Sequence, residues 1–230
     1  MSLLTFFAIF LFARLGFWQL DRAQVKKEIL SANSRFAKLA PKSWSQNDKL
    51  PRQYQQINVK GYYLPQVFLL DNQHHNHNFG YDVISLLNTA NGKIILVDRG
   101  WIAGDISRQI YPEIERPIGN ISLAGSVYYP STKNWVLGQV IEKKSKDLVV
   151  IESFDTKLLA QFLHKSVYPF IIRLNQDNAN GYVREWALVS MPPERHYAYA
   201  FQWFAIAIVI LIMFIGLNFK KEYKNENRKS

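Results

Sequence analysis

Arg195-His196-Tyr197-Ala198-Tyr199-Ala200-Phe201-Gln202-Trp203 leads without a break into the longest uncharged apolar segment of the chain, AFQWFAIAIVILIMFIGL at residues 200–217. At ~1.5 Å per helical residue, 200–217 covers about 27 Å and 197–219 roughly 34 Å, against a hydrocarbon thickness of ~30 Å. The segment reads as a transmembrane helix with a histidine where it meets water. On that helix His196, Tyr199, Ala200 and Trp203 fall at i, i+3, i+4 and i+7 and share one face. Two readings of His196 stay open from the residues alone. It is either a polar residue at the membrane boundary, or a nitrogen aimed at a metal beside a face that suits a flat apolar ligand.

The other end of the chain repeats the theme more weakly. Residues 3–20 have the same nominal length but carry Arg14, which is expected to snorkel toward the interface where Trp18 would also sit. A membrane anchor fits better than a cleaved signal, because no basic stretch precedes Leu3 and no small-residue cleavage site follows Phe12. The apolar run begins at once, which leaves a longer native N-terminus open.

The 230 residues carry a formal charge of +10, and its distribution decides its meaning. The tail holds Lys220, Lys221, Lys224, Arg228 and Lys229 against Glu222 and Glu226, as expected of a cytoplasmic flank. No basic run tracks a phosphate backbone, so no nucleic-acid partner is expected. Arg22, Lys26, Lys27 and Arg35 follow the first span, and Arg184 and Arg195 precede the second. Charge counting therefore leaves the side of the intervening domain undecided. The chain has no cysteine, which removes disulfides and thiolate copper or zinc sites. Met1, Met191 and Met213 are too few and too scattered for a methionine-rich copper site.

Between the spans, residues 21–40 continue the first helix, with Val25, Ile29, Ala32 and Phe36 at spacings of three and four. Pro41 and Pro51 bracket a polar connector, after which β-rich runs recur at 56–63, 67–71, 81–87, 93–98, 121–128, 148–153, 170–175 and 182–190. The sheet is expected to be mostly antiparallel. Asn91-Gly92 and Asn180-Gly181 supply residues that tolerate positive φ, as tight hairpins require. One helix is expected to start at Asp155 or Thr156 and to bury Leu158, Leu159, Phe162 and Leu163. The expected fold is a membrane protein with two transmembrane α-helices flanking one β-rich α+β extracytoplasmic domain. Its parts are a first span at 1–22, a helical extension and connector at 23–50, the β-rich domain at 51–195, a second span at 196–219 and a basic cytoplasmic tail at 220–230.

Three other places invite chemistry. His74, His75 and His77 form the sole histidine cluster. Adjacent histidines in a strand-like loop point apart, and no carboxylate stands at a recognised spacing, so a solvated loop between strands is the preferred reading. Asp98-Arg99-Gly100 follows the strand 94–97 without a nucleophile, so Arg99 reads as a structural ion-pair or hydrogen-bond donor and Gly100 as a turn. Gly16-Phe17-Trp18-Gln19-Leu20-Asp21-Arg22 closes the first span. There Gly16 allows close helix approach and Gln19 can hydrogen-bond across helices. If the spans pack, Gly16, Gln19 and Arg22 face His196 and Trp203 at one membrane level.

Three motifs in order, Leu15-Gly16-Phe17-Trp18-Gln19-Leu20-Asp21-Arg22, Val97-Asp98-Arg99-Gly100-Trp101, and Pro193-Glu194-Arg195-His196-Tyr197-Ala198-Tyr199-Ala200-Phe201-Gln202-Trp203-Phe204, resemble the Surfeit locus protein 1 family. The likeness covers nearly the whole chain. Gly61, Gly80-Tyr81 and Gly125 also fall where that family places turns, whereas the chain begins inside the first span without the expected polar leader. The resemblance implies a non-enzymatic assembly chaperone that helps deliver haem a to subunit I of cytochrome c oxidase, with haem a synthase and the lipid bilayer as further partners. It implies a multi-pass protein of the bacterial inner membrane with its domain on the periplasmic side. It implies His196 as the ligand of the haem iron. Tyr199 and Trp203 would then flank the macrocycle, Arg195 or Arg22 would pair with a propionate, and Gly16 and Gln19 would form the opposing wall. A scaffold that binds oxidase subunits without haem, and a hydrolase built on the 74–77 loop, are the competing expectations.

Overall fold

The computed structural model describes residues 2–130, 141–186 and 188–226, side chains excepted at residue 2 and from 219 onward. The chain divides into two units, one formed by Met1–Ala32 with Ala187–Ser230 and the other by Asn33–Trp186.

The first unit holds the two long helices. Helix α1 spans Ser2–Ala37, and α3, the last of three helices among the described residues, spans Pro193–Glu226. Within them Leu3–Ala37 and Pro193–Asn218 are long and apolar enough to cross a membrane. Most of their apolar side chains are exposed, Leu3 at 86 % and Phe201 at 75 % among them. Such surface is paid for only in a lipid solvent. This is a membrane-anchored protein. Pro193 suits the first turn of α3, where its missing N–H would have had no partner. Of the tail expected at 220–230, residues 227–230 lie outside the described residues.

The helices run antiparallel. Phe6 meets Phe214 edge-on at 5.2 Å, Phe12 stacks on Trp203 at 5.7 Å, Phe17 meets Phe204 at 5.2 Å, and Gln19 reaches His196. As positions rise on α1 they fall on α3. Buried small residues line the contact, with Gly16 and Ala23 on α1 and Ala200 and Ala207 on α3. In a lipid environment close backbone approach supplies the packing that a hydrophobic driving force cannot.

The second unit is the β-rich domain. Its strands are β1 (Lys42–Ser43), β2 (Gln56–His75), β3 (Asn78–Asn88), β4 (Ile94–Ala103), β5 (Asn120–Tyr128), β6 (Ile141–Lys143), β7 (Leu148–Ile151) and β8 (Val167–Leu174), with helix α2 (Thr156–Leu163) between the last two. The runs at 56–63 and 67–71 are one long strand. Its register shifts between Tyr63 and Val67, around Pro65, whose missing N–H would interrupt a regular ladder. The first part of β2 pairs with β5 and the rest with β3, so β2, β3, β4, β8 and β5 close a ring of pairings. A closed ring leaves those strands without an open edge.

The sheet is mostly antiparallel, as expected, through β2–β3, β2–β5, β3–β4, β5–β8 and β6–β7, while β2–β7, β4–β8 and β1–β2 add parallel pairings. Strand β4 shows why both faces are apolar in sequence. Ile95 and Val97 enter a core with Trp44, Ile57, Leu123 and Phe170, while Ile94 and Leu96 enter a second core with Phe68, Ile151 and Leu159 of α2. Helix α2 begins as expected. Asp155 is its N-cap and accepts from Lys157 N at 2.9 Å and Leu158 N at 3.1 Å.

Three expectations are corrected. The strand at 182–190 does not form, although Asn180 takes the positive φ of a turn. Among its described residues only Val183 bridges, to Trp101, while the Arg184 guanidinium folds back onto the carbonyls of Asn175, Gln176 and Asn178. Gln176 Nε2 in turn donates to the Arg184 carbonyl, so that carbonyl is turned to the 175–178 loop and not to a ladder. Gly61, Gly80 and Gly125 lie inside β2, β3 and β5, not in turns, and neighbouring strand atoms fill the space a Cβ would take. Strand β4 also continues through Asp98 and Arg99 to Ala103. Gly100, at φ +108, serves as a kink beneath Val183 and not as a turn.

Candidate functional site at the helix pair

Gln19 lies near the end of the apolar run of α1 and His196 in the first turn of α3. Their side chains meet, His196 Nδ1 to Gln19 Oε1, at 2.7 Å, and both are buried, His196 being 8 % exposed. An amide oxygen can only accept, so this contact is a hydrogen bond in the tautomer that carries the imidazole proton on Nδ1. The other ring nitrogen, Nε2, is then an acceptor with a free lone pair. It is buried and has no hydrogen-bond partner among the described residues.

Packing around the pair explains its rigidity. Phe12, Gly16, Gln19 and Ala23 follow one another at i, i+4, i+7 and i+11 on α1, and His196, Ala200, Trp203 and Ala207 do the same on α3. A Cβ at Gly16 would lie 2.6 Å from the Phe204 ring, so only glycine admits Phe204 in this position. Trp203 stacks on Phe12, and its Nε1–H is also buried without a partner. The contact face thus carries one unsatisfied acceptor and one unsatisfied donor, each costly to bury.

The structure brings His196, Gln19, Gly16 and Trp203 onto one contact face. It places the other three expected site residues elsewhere. Tyr199 is 42 % exposed and points off the buried stripe, Arg195 is exposed, and Arg22 is exposed over the Trp18 ring of its own helix at 5.5 Å. Phe12 and Phe204 belong to the face without having been singled out from sequence. The four-residue step from Phe12 to Gly16 was the available signal, but phenylalanines in a span rarely stand out.

The other two candidate places have structural roles. Asn76 and His77 form the two-residue turn of the β2–β3 hairpin with positive φ at both positions, and His74 and His75 precede it on opposite strand faces. His75 packs against Trp101 at 5.2 Å and stands 3.7 Å from Glu185. No group of three potential ligands close enough for a metal occurs among the described residues. Arg99 is 1 % exposed and donates to the carbonyls of Asn180 and Glu115, both at 2.8 Å, between the rings of Tyr63 and Tyr182. Burial raises the Tyr63 phenol to about 12 despite the nearby Arg99 cation. Arg99 ties the loops at 115 and 180 to β4 as a hydrogen-bond donor, and among the described residues it makes no ion pair.

The SURF1 family model matches residues 6–208 of this chain. A SURF1-like protein of Rickettsia conorii (strain ATCC VR-613 / Malish 7) is 23 % identical over 226 residues, covering 93 % of this chain and 89 % of the relative.

Proposed function

We infer the task of the His196 site from the premise that this chain belongs to the SURF1 family and so acts in the assembly of cytochrome oxidase. The site takes up haem a and helps pass it to subunit I of the oxidase. One observation carries this reading: His196 Nε2 is a buried imidazole nitrogen without a hydrogen-bond partner among the described residues, while Gln19 Oε1 stands 2.7 Å from Nδ1 on the other side of the ring. A neutral imidazole fixed through its second nitrogen is the donor that haem iron takes axially. The donor set therefore fits the group. When bound, haem a supplies the iron that His196 ligates.

The residues around His196 hold and shield. Gln19 orients the ring, Trp203 and Phe12 form an aromatic wall on the same face, and the exposed Arg195 and Arg22 are cations at the water boundary for an acidic group. The β-rich domain lies on the periplasmic side of a bacterial inner membrane, a placement the family resemblance supports. Haem a synthase is the donor from which the haem is received, and no covalent chemistry is asked of this chain.

The full-length protein, co-expressed with haem a synthesis and purified from membranes, is expected to show a haem absorbance band that His196→Ala loses. An unchanged band in His196→Ala overturns the assignment. Co-purification of oxidase subunits with no haem band in either protein would make the chain a scaffold instead.

A further inference from the structure

Gln19 is polar, buried and set in an apolar helix, where an amide has a cost unless it does something. Its oxygen is 2.7 Å from His196 Nδ1, and nothing hydrogen-bonds Nε2. A histidine offers one nitrogen as a lone pair only when the other carries the proton, and that choice follows from the second nitrogen's hydrogen bond. Left to itself in an apolar setting, a neutral imidazole has no reason to keep its proton on Nδ1. With an amide oxygen fixed against Nδ1 it does.

We propose that Gln19 is a positioning residue: its Oε1 holds His196 in the Nδ1–H tautomer, so that Nε2 is delivered as an unprotonated ligand at the helix contact. The inference rests on the haem reading of His196 for its consequence, but its chemical core does not need haem. The same bond also joins the two helices, so a tautomer-setting role has to be separated from a merely cohesive one. A carboxylate at position 19 accepts from Nδ1–H as the amide does and makes the ring a stronger donor. An aliphatic residue fills space and accepts nothing.

The test uses the full-length chain in detergent, labelled with 15N in its histidine rings, without haem and at a pH where histidine is neutral. The five histidines make a simple spectrum, and the His196 signals are those missing from His196→Ala. The wild type is expected to show Nδ1 protonated and Nε2 unprotonated, Gln19→Glu the same, and Gln19→Leu a shift of the proton toward Nε2. A wild-type ring protonated at Nε2, or a Gln19→Leu spectrum like the wild type, overturns the proposal.

Helix pairing is read separately. The chain has no cysteine, so Phe6→Cys with Phe214→Cys, whose rings are 5.2 Å apart and far along the pair from Gln19, reports pairing through a short bis-maleimide. Cross-linking is expected to persist in Gln19→Leu. Its loss together with the tautomer change would assign Gln19 to cohesion and overturn the positioning role.

Haem titration completes the test, with Gln19→Leu expected to weaken binding by about 10–100-fold and Gln19→Glu to keep it while lowering the haem reduction potential. Gln19→Leu binding haem as tightly as the wild type overturns the consequence drawn here. Haem retained by His196→Ala overturns the ligand reading itself, and leaves the 15N result to stand or fall alone.

Discussion

Asp82 and Asp98 bring two carboxyls to one place on β3 and β4, with Arg173 as Asp98's register neighbour on β8. Burial raises Asp82 from its ordinary 3.8 to about 6, with Arg173 opposing. Asp98 is pushed well above its ordinary value, first by burial and then by Asp82, against the pull of Arg173 and the Gly100 N–H. A carboxyl with a raised folded pKa binds its proton more tightly folded than unfolded. The stability it adds is complete below the unfolded value and is lost as pH rises through about 6. Thermal unfolding in detergent, followed by tryptophan fluorescence, should therefore give a midpoint that falls between about pH 4 and pH 6. Asp82→Asn should flatten that dependence and stabilise the domain near neutral pH by on the order of 1–3 kcal/mol. None of this was readable from the Asp98-Arg99 dipeptide, because the cost comes from neighbours on β3 and β8. The same is true of Arg99, whose carbonyl partners come from loops 16 and 81 residues away.

At the level of elements, the α1–α3 pair depends on Gly16. Phe204 occupies the space a side chain would need, although the end of its ring can swing away at some cost. Gly16→Val should lower cross-linking between Phe6→Cys and Phe214→Cys, and Phe204→Ala added to it should restore the yield. Recovery would identify steric conflict as the cause, whereas no loss in Gly16→Val would remove the close-approach role. Both spans, the helical extension and the Asp155-capped α2 were legible, since each follows from a local apolar period or a local cap. The strand expected at 182–190 failed for a complementary reason. Its composition favours extension, but a strand exists only if an edge accepts it, and the Arg184 side chain and carbonyl are bonded back to the 175–178 loop.

Across the whole molecule, one helix with lipid-facing surface precedes in the chain, and another follows, a domain with its own cores. Anchoring should rest on apolar length, not on surface charge. The chain is expected to remain in the membrane pellet after alkaline carbonate extraction. Val209→Asp with Ile212→Asp, adding about 2.5–3.5 kcal/mol each to insertion of the second span, should release a measurable fraction. Full retention of that variant would mean the first span suffices as an anchor. The His196–Gln19 site belongs to this scale as well, since its two halves are 177 residues apart and meet only because the chain returns to the membrane.

By itself the sequence determined that the chain is anchored at both ends, that a β-rich domain lies between, and that Gln19 and His196 sit at the ends of apolar helices. These follow from periodicity, apolar length and capping, which act over a few residues. Tertiary structure alone decided that the five-stranded ring closes, that β4 pairs in parallel with β8, and that Arg99 binds carbonyls instead of a carboxylate. It also decided that His196 is left with a bare Nε2 while Tyr199 and Arg22 turn elsewhere. Pairing partners, burial and the proton's place on an imidazole depend on groups distant in the chain, and no local pattern records them.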